Sequence, residues 1–142
     1  MAAVNDALAA VLRGEARSLP KAQLVELLQS EEWSYRGIGV AVDLSGVNLA
    51  GVDLRWLDLQ YVVLDGARMS AARLDGADLT GASLRRTSLS RSSMAATRLH
   101  RADLRGAKLP ARARMVDAEL DGAVLGASAS SQGGKSRERT AC

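Results

Sequence analysis

The chain has 142 residues, of which 47% are hydrophobic and 25% charged, and its formal net charge is +3. It contains 25 Ala and 21 Leu but no Phe, and only 3% of its residues are aromatic. We therefore do not expect an ordinary core of interlocking large side chains. Asp, Arg or Gly interrupts the apolar runs every few residues, so none approaches the roughly 20 residues of a membrane span. We expect a soluble intracellular protein, cytoplasmic by default.

Residues 1–41 have the pattern of a helical hairpin. A first helix carries Val4, Leu8, Val11 and Leu12 on one face and ends before Gly14. A second helix starts at Ser18 and Pro20, buries Leu24, Val25, Leu27 and Leu28, and has Trp33 near its end. We expect this hairpin to cap the segment that follows, and docking on a partner protein is the alternative.

A repeat of five residues begins at Val42. A large aliphatic residue recurs at every fifth position from Leu44 to Leu109. Two residues before each of these centres stands a small or short apolar side chain, and the other three positions are mostly Asp, Asn, Arg, Ser or Gly. A spacing of five fits neither the 3.6-residue period of a helix nor the two-residue period of a strand. The chain must therefore turn once in every unit.

The repeat changes phase by one residue near positions 110–112. The next centres are Met115, Leu120 and Leu125, so the array contains one inserted residue. The sequence leaves open whether Pro110 marks a bulge, a loop or a kink.

Two units, Ala77-Asp78-Leu79-Thr80-Gly81 and Ala102-Asp103-Leu104-Arg105-Gly106, resemble the A(D/N)LXX motif of the pentapeptide-repeat family. The resemblance covers residues 42–127. It implies a mainly β fold, a right-handed quadrilateral β-helix in which four pentapeptides form one square coil, with the centres and the small residues pointing inward. This chain would form about four coils behind an N-terminal α-helical cap.

The composition of the repeat agrees with such a rod. Stacked coils would pair their backbones about 4.8 Å apart, so four coils would be roughly 20 Å long. Glycine, which tolerates the backbone angles of a tight corner, recurs at Gly46, Gly51, Gly66, Gly76, Gly81, Gly106 and Gly122. Thr87, Ser92 and Thr97 fall at inward positions, and we expect their hydroxyls to bond to nearby backbone carbonyls.

The C-terminal segment 128–142 is polar and low in complexity, which predicts a disordered tail. Its Gly134-Lys135-Ser136 resembles the end of a phosphate-binding loop, but too few residues follow to form the helix that such a loop requires. No second helix covers the last coil. A partner, a second copy forming a homodimer, or an open edge are the alternatives there.

No catalytic, cofactor or metal site can be composed from the sequence. Asp58 and Asp78 would stack one coil apart and could share a proton, but Arg98 follows in the same column and favours a solvated ladder. His100 has no second His or Cys for a metal, and we expect it to be a solvated surface residue. Ser88 lies in a kinase-like LRRTSL sequence, yet a rigid coil would resist a kinase. We expect a protein that is not an enzyme and binds no cofactor.

Positive charge is concentrated in residues 81–114, which contain Asp103 as their one acid. The predicted partner-binding residues are Arg85, Arg86, Arg91, Arg98, Arg101, Arg105 and Lys108. Such a surface attracts an acidic protein, or nucleic acid and other polyanions without sequence specificity. Trp56 and Tyr61 fall at corners, either as an aromatic contact point or packed against the N-terminal helices.

These observations favour a non-catalytic scaffold for protein-protein interaction, a small structural subunit of a larger assembly. Electrostatic binding of nucleic acid by the basic half of the rod is the alternative. The family that the repeat resembles also includes DNA-mimicking inhibitors of type II topoisomerases that confer fluoroquinolone resistance. Those proteins are strongly acidic and commonly have Phe among their centres, so the resemblance supports this third function least.

Overall fold

The computed structural model describes residues 2–34 and 42–125. In chain order these contain helix α1 (Ala2–Leu12), a 3-10 turn (Ala16–Ser18), helices α2 (Lys21–Leu28) and α3 (Glu31–Ser34), and a second 3-10 turn (Arg112–Met115). The repeated coils occupy residues 42–125. The predicted tail, including Gly134-Lys135-Ser136, lies outside the described residues. No helix in the described ranges combines the length and hydropathy needed to cross a membrane.

Helix α1 is rich in alanine, the strongest helix former. It ends where Gly14 adopts φ +82°. The N–H of Gly14 donates to Val11 O at 2.9 Å and the N–H of Glu15 to Ala10 O at 2.9 Å, which is the Schellman pattern. The prediction that Leu12 lies on the buried face is wrong. Leu12 is 53% exposed because it follows the buried Val11 directly and so lies about 100° further round the helix.

The second predicted helix divides into shorter elements. Ser18 belongs to the 3-10 turn, and α2 begins only after Pro20. Leu24, Leu27 and Leu28 are buried as predicted, while Val25 is partly buried. Trp33 does not end this helix but lies in α3. The Ser30 hydroxyl donates to Leu27 O at 2.6 Å just after α2 ends, and such side-chain bonds compete with continued helix.

The coils are joined by parallel backbone bridges between residues twenty positions apart. One such column runs through Asp43, Val63, Ser83 and Asp103. Within it the N–H of Leu44 donates to Val63 O at 2.7 Å, and the N–H of Val63 donates to Val42 O at 2.8 Å. Since the repeat unit has five residues, each coil is made of four units, and each unit forms one side of the coil. The first coil comprises residues 42–61, the second 62–81 and the third 82–101, and the fourth begins at residue 102.

Apolar side chains fill the interior of the coils. All the centres from Leu44 to Leu109 are between 0% and 6% exposed, and the small residues that precede them line the same space. The hydroxyls of Thr87, Ser92 and Thr97 donate to the carbonyl oxygens of Leu64, Leu89 and Leu74 at 2.9, 2.7 and 2.8 Å. The prediction that backbone carbonyls satisfy these buried hydroxyls is confirmed.

The phase change near Pro110 is absorbed by the 3-10 turn Arg112–Met115. Before it, bridged residues are twenty positions apart, as in Ser88 to Lys108, and after it they are twenty-one apart, as in Arg98 to Glu119. The inserted residue therefore shifts the register without ending the stack. Met115, the centre that ends this turn, is only partly buried.

Side chains from the N-terminal helices donate to carbonyl groups at the open edge of the first coil. Lys21 Nζ donates to Ala50 O at 2.7 Å, Gln29 Nε2 to Asp53 O at 2.8 Å and Trp33 Nε1 to Asp58 O at 2.7 Å. The equivalent carbonyls one coil further on, those of Ser70, Arg73 and Asp78, accept backbone N–H groups from the first coil. Helix side chains thus take the place of a preceding coil.

Candidate interaction surface

The twenty-residue period sorts the outward side chains into four faces. We name each face by its bridged column: face 1 contains Asp43, Val63, Ser83 and Asp103; face 2 contains Asn48, Arg68, Ser88 and Lys108; face 3 contains Asp53, Arg73 and Ser93; face 4 contains Asp58, Asp78, Arg98 and Glu119. The residue two positions after each bridged residue also points outward, and the residue three positions after it forms the corner, where φ is positive. The residue number therefore determines the face on which each outward side chain lies.

The predicted basic residues do not share one face. Arg85 and Arg105 lie on face 1, Arg98 on face 4 and Lys108 on face 2. The remaining three are corner residues with φ between 57° and 60°: Arg86 between faces 1 and 2, Arg91 between faces 2 and 3, and Arg101 between faces 4 and 1. The positive segment of the sequence thus wraps around the rod.

Three of these cations are already paired with carboxylates. Arg105 forms a two-pronged ion pair with Asp103, at 2.7 and 2.9 Å, and Arg85 Nε lies 3.8 Å from the same carboxylate. The hydrogen bond from Arg105 lowers the pKa of Asp103 below its ordinary value. On face 4, Arg98 lies 3.8 Å from both Asp78 and Glu119. These pairs reduce the charge that faces 1 and 4 can offer a partner.

Face 2 differs from the other faces because it carries no carboxylate. Its outward residues are Asn48, Ala50, Arg68, Ser70, Ser88, Ser90, Lys108 and Pro110. Among the described residues, Arg68 and Lys108 form no ion pair, and neither do the corner residues Arg86 and Arg91. Arg68 was not among the predicted basic residues. It lies twenty residues before Ser88 and forty before Lys108, and this spacing places all three in one column.

The aromatic corners pack on the following coil. The backbone of Trp56 has φ 68° and that of Tyr61 φ 64°. The Trp56 ring lies over Gly76 and the Tyr61 ring over Gly81, so close that a Cβ on either glycine would collide with the ring. Trp56 nevertheless stays 75% exposed. The two rings flank face 4 at the first coil and rest on these glycines, and the exposure of Trp56 shows that its ring is not buried under the N-terminal helices.

The stacked carboxylates of face 4 are engaged separately. Asp58 accepts hydrogen bonds from the N–H and side chain of Gln60, at 3.1 and 3.2 Å, and Asp78 accepts the same two kinds of bond from Thr80 at 3.0 and 2.6 Å. Each acid therefore closes its own turn. This arrangement does not supply the shared proton that an acid/base pair needs.

His100 lies at the surface, and its ring also contacts two acids. Its Nε2 lies 2.7 Å from Glu119 and its Nδ1 3.8 Å from Asp121, and its side chain is 31% exposed. The twenty-one-residue offset after the inserted residue brings these acids beside the ring. Across residues 2–34 and 42–125, no group of three or more His, Cys, Asp or Glu side chains is arranged to hold a metal ion.

Comparison with known proteins identifies the repeat. The family model for pentapeptide repeats matches residues 40–76 and 72–109 with eight copies. Among solved structures, the chain is similar to the pentapeptide repeat protein Rfr23 from the cyanobacterium Cyanothece 51142, with 29% identity over 63% of this chain and 62% of that one and a TM-score of 0.35. It is also similar to HetL from Nostoc sp. strain PCC 7120, described as involved in heterocyst differentiation regulation, with 33% identity over 61% and 41% and a TM-score of 0.32.

A third structure, QnrB1, a plasmid-mediated fluoroquinolone resistance protein, matches with 18% identity over 58% of this chain and 57% of that one, with a TM-score of 0.23. The chain spans less than two thirds of the length of each of these proteins. The search of curated protein sequences gave no match.

Proposed function

Since the chain belongs to the pentapeptide-repeat family, whose members form right-handed quadrilateral β-helices, we propose that it works as a non-catalytic scaffold for protein-protein interaction, as a small subunit of a larger assembly. Proteins of this family are generally structural repeat proteins without enzymatic activity. The filled interior supports the proposal because it leaves the outer faces and corners for recognition.

The observation that carries this proposal is the exposure of Trp56. It is the most exposed large hydrophobic residue in the described part of the chain, and Gly76 supports its ring from below. Trp, Tyr and Arg are enriched among the residues that dominate the energetics of protein interfaces, and Trp and Tyr supply a large contact area at a low cost in conformational entropy. Trp56 and Tyr61, at the two corners of face 4, therefore form the proposed aromatic contact, with the basic residues Arg85, Arg98, Arg101 and Arg105 further along the rod.

The proposal includes a capping role for residues 1–41. The donors on Lys21, Gln29 and Trp33 support it, because they satisfy carbonyls that a further coil would otherwise bind. The repeat array that follows is the second unit of the proposed division. At the other end, the exposed Val116 and Val124 support a homodimer formed through the last coil. Size measurement in solution tests that homodimer.

The net charge of +3 argues against the DNA-mimic function. A mimic of DNA must present the negative potential of phosphates, whereas the middle of this rod is basic. The likeness to QnrB1 concerns the repeat fold alone. Electrostatic binding of nucleic acid is the second candidate function, and the carboxylate-free face 2 favours it.

The test is purification of the tagged full-length protein from its own cells at low and moderate salt, followed by mass spectrometry and native sizing. We expect a stoichiometric protein complex that Trp56→Ala abolishes. Leu12→Ala removes exposed apolar surface from helix α1 and is the matched control, which should retain the partner. Circular dichroism checks that both variants fold. A protein that is always free, or a complex that Trp56→Ala leaves intact, contradicts the proposal.

A further inference from the structure

Face 2 combines cations with hydroxyl and amide groups. Arg68 and Lys108 are exposed, Ser88 lies between them in the bridged column, and Asn48 precedes them. The hydroxyls of Ser70 and Ser88 are 2.9 Å apart, so both are held in place on the same surface. Arg86 and Arg91 lie at the two corners of the third coil that border face 2, one on each side of it. The surface is rich in hydrogen-bond donors and lacks any competing carboxylate.

Positive charge continues from this face onto the N-terminal helices. A small cleft of about 150 Å³ lies where the helices meet the first two coils, and Arg17, Lys21, Asn48 and Arg68 line it. No acidic side chain is among its lining residues. The cations therefore extend from the helices to the fourth coil, a distance of roughly 15 Å at the usual spacing between paired strands.

We infer that face 2 binds the phosphodiester backbone of double-stranded nucleic acid without reading its sequence. This inference rests on the second candidate function, electrostatic binding of nucleic acid, and names its surface and ligand; it does not need the proposed protein partner, whose contact lies at the corners of face 4. Arg68 and Lys108 are two coils apart, about 10 Å, which suits contacts to separate phosphates. The rigid backbone of the coils holds these groups in register, so little side-chain ordering beyond the cations themselves is needed on binding.

The chemistry of face 2 favours phosphate over an acidic protein. Phosphate oxygens are bound by Arg and Lys together with Ser and Asn side chains, which is the composition of this face. Protein interfaces instead depend on buried apolar or aromatic anchors and are depleted in Lys and Ser. Trp56 and Tyr61 border face 4, so face 2 also has no aromatic platform on which unpaired bases could stack. Duplex backbone is therefore the ligand that fits.

The expected binding is weak and strongly dependent on salt. Four unpaired cations, Arg68, Arg86, Arg91 and Lys108, predict a slope of log K against log salt of about −3.6 for B-form DNA. Affinity should then fall about 100-fold between 50 and 200 mM salt. The dissociation constant should lie in the micromolar range or weaker at physiological salt, as is usual for non-specific binding.

The test is fluorescence anisotropy of a labelled 20-base-pair DNA duplex of mixed sequence, titrated with the full-length protein at several salt concentrations. Arg91→Gly is the informative variant, and Arg101→Gly is its matched control. Both residues are corner arginines with positive φ and both lose one charge, but they occupy diagonally opposite corners. Glycine relaxes the backbone at either position, so both variants are expected to fold.

We expect Arg91→Gly to weaken duplex binding about tenfold at 50 mM salt and to reduce the salt slope by about one. Arg101→Gly should stay within twofold of the wild type, and duplexes of different sequence should bind alike. Equal losses in the two variants would show that net charge alone drives binding and would overturn the inference. So would the absence of duplex binding, or tighter binding of a labelled polyglutamate peptide than of the duplex.

Discussion

The support that Gly76 gives to Trp56 can be tested by adding a single methyl group. Gly76 has φ +72°, and a Cβ at this position would lie 2.1 Å from two atoms of the Trp56 ring. Gly66 has nearly the same φ, +70°, but a Cβ there meets nothing within 4 Å. Comparing Gly76→Ala with Gly66→Ala therefore separates the collision from the cost of the backbone conformation.

The magnitudes follow from these contacts. Alanine at this φ costs about 1 kcal/mol relative to glycine, and the chain already holds Ala71 and Ala96 at φ 61° and 58°. The collision moves the Trp56 ring off the coil. About a quarter of the residue is covered, roughly 60 Å² of a large aromatic side chain, and losing that burial costs about 1.5 kcal/mol. We expect Gly66→Ala to cost about 1 kcal/mol and Gly76→Ala about 2.5 kcal/mol.

Urea unfolding followed by circular dichroism measures these differences, and acrylamide quenching reports the displaced ring because Trp33 is buried. In a Trp56→Ala background, Gly76→Ala should cost only about 1 kcal/mol, so the two changes should be coupled by about 1.5 kcal/mol. Equal losses for Gly66→Ala and Gly76→Ala, within about 0.5 kcal/mol, would refute the reasoning.

Three further changes test other parts of the rod by urea unfolding. Leu79→Ala should cost about 2–5 kcal/mol, because Leu79 is 0% exposed and the stacked backbone cannot close the cavity; a loss below 1 kcal/mol would contradict this. Thr97→Val should cost only about 1 kcal/mol or less, because Leu74 O keeps its 2.9 Å bond from the Ala77 N–H; a loss of several kcal/mol would contradict it. The hydrogen bond from Arg55 lowers the pKa of Asp53 to about 2, below the unfolded value of about 3.9. The stabilisation from this ion pair is therefore present above pH 4 and lost as pH falls towards 2. The wild type should lose more stability than Asp53→Asn between pH 5 and 2.5. Equal losses would show that the pair does not contribute to stability.

The coils were predictable because the period of five recurs over most of the chain. Each unit places one large and one small side chain at the buried positions. The same reasoning located the buried hydroxyls of Thr87, Ser92 and Thr97. The exposed Leu12 and the separate helix around Trp33 were not predictable in this way. Both depend on where short helices end, which local hydrogen bonds such as that from Ser30 decide.

The corners were predicted only in part. Glycine, Trp56 and Tyr61 were expected there, but six other residues, including Arg86 and Arg91, also adopt positive φ. The missed signal is the residue twenty or twenty-one positions later: Gly76 follows Trp56, Gly106 follows Arg86, and their missing Cβ leaves room for the larger side chain. Likewise, the basic segment was treated as one surface, although Arg91 and Arg101 differ by half a coil and so lie at opposite corners.

The residue number determines the face on which an outward side chain lies, so a single acid can be placed on face 2. Such a substitution tests directly whether face 2 binds the duplex. Ser88→Asp would put a carboxylate about one strand spacing from both Arg68 and Lys108. Face 1 shows the consequence of such a placement, since Asp103 forms ion pairs with both Arg85 and Arg105 there. The new acid would occupy two of the four cations, and the salt slope of duplex binding should fall from about −3.6 to about −1.8. An unchanged slope in a folded Ser88→Asp protein would mean that the duplex contacts another part of the rod.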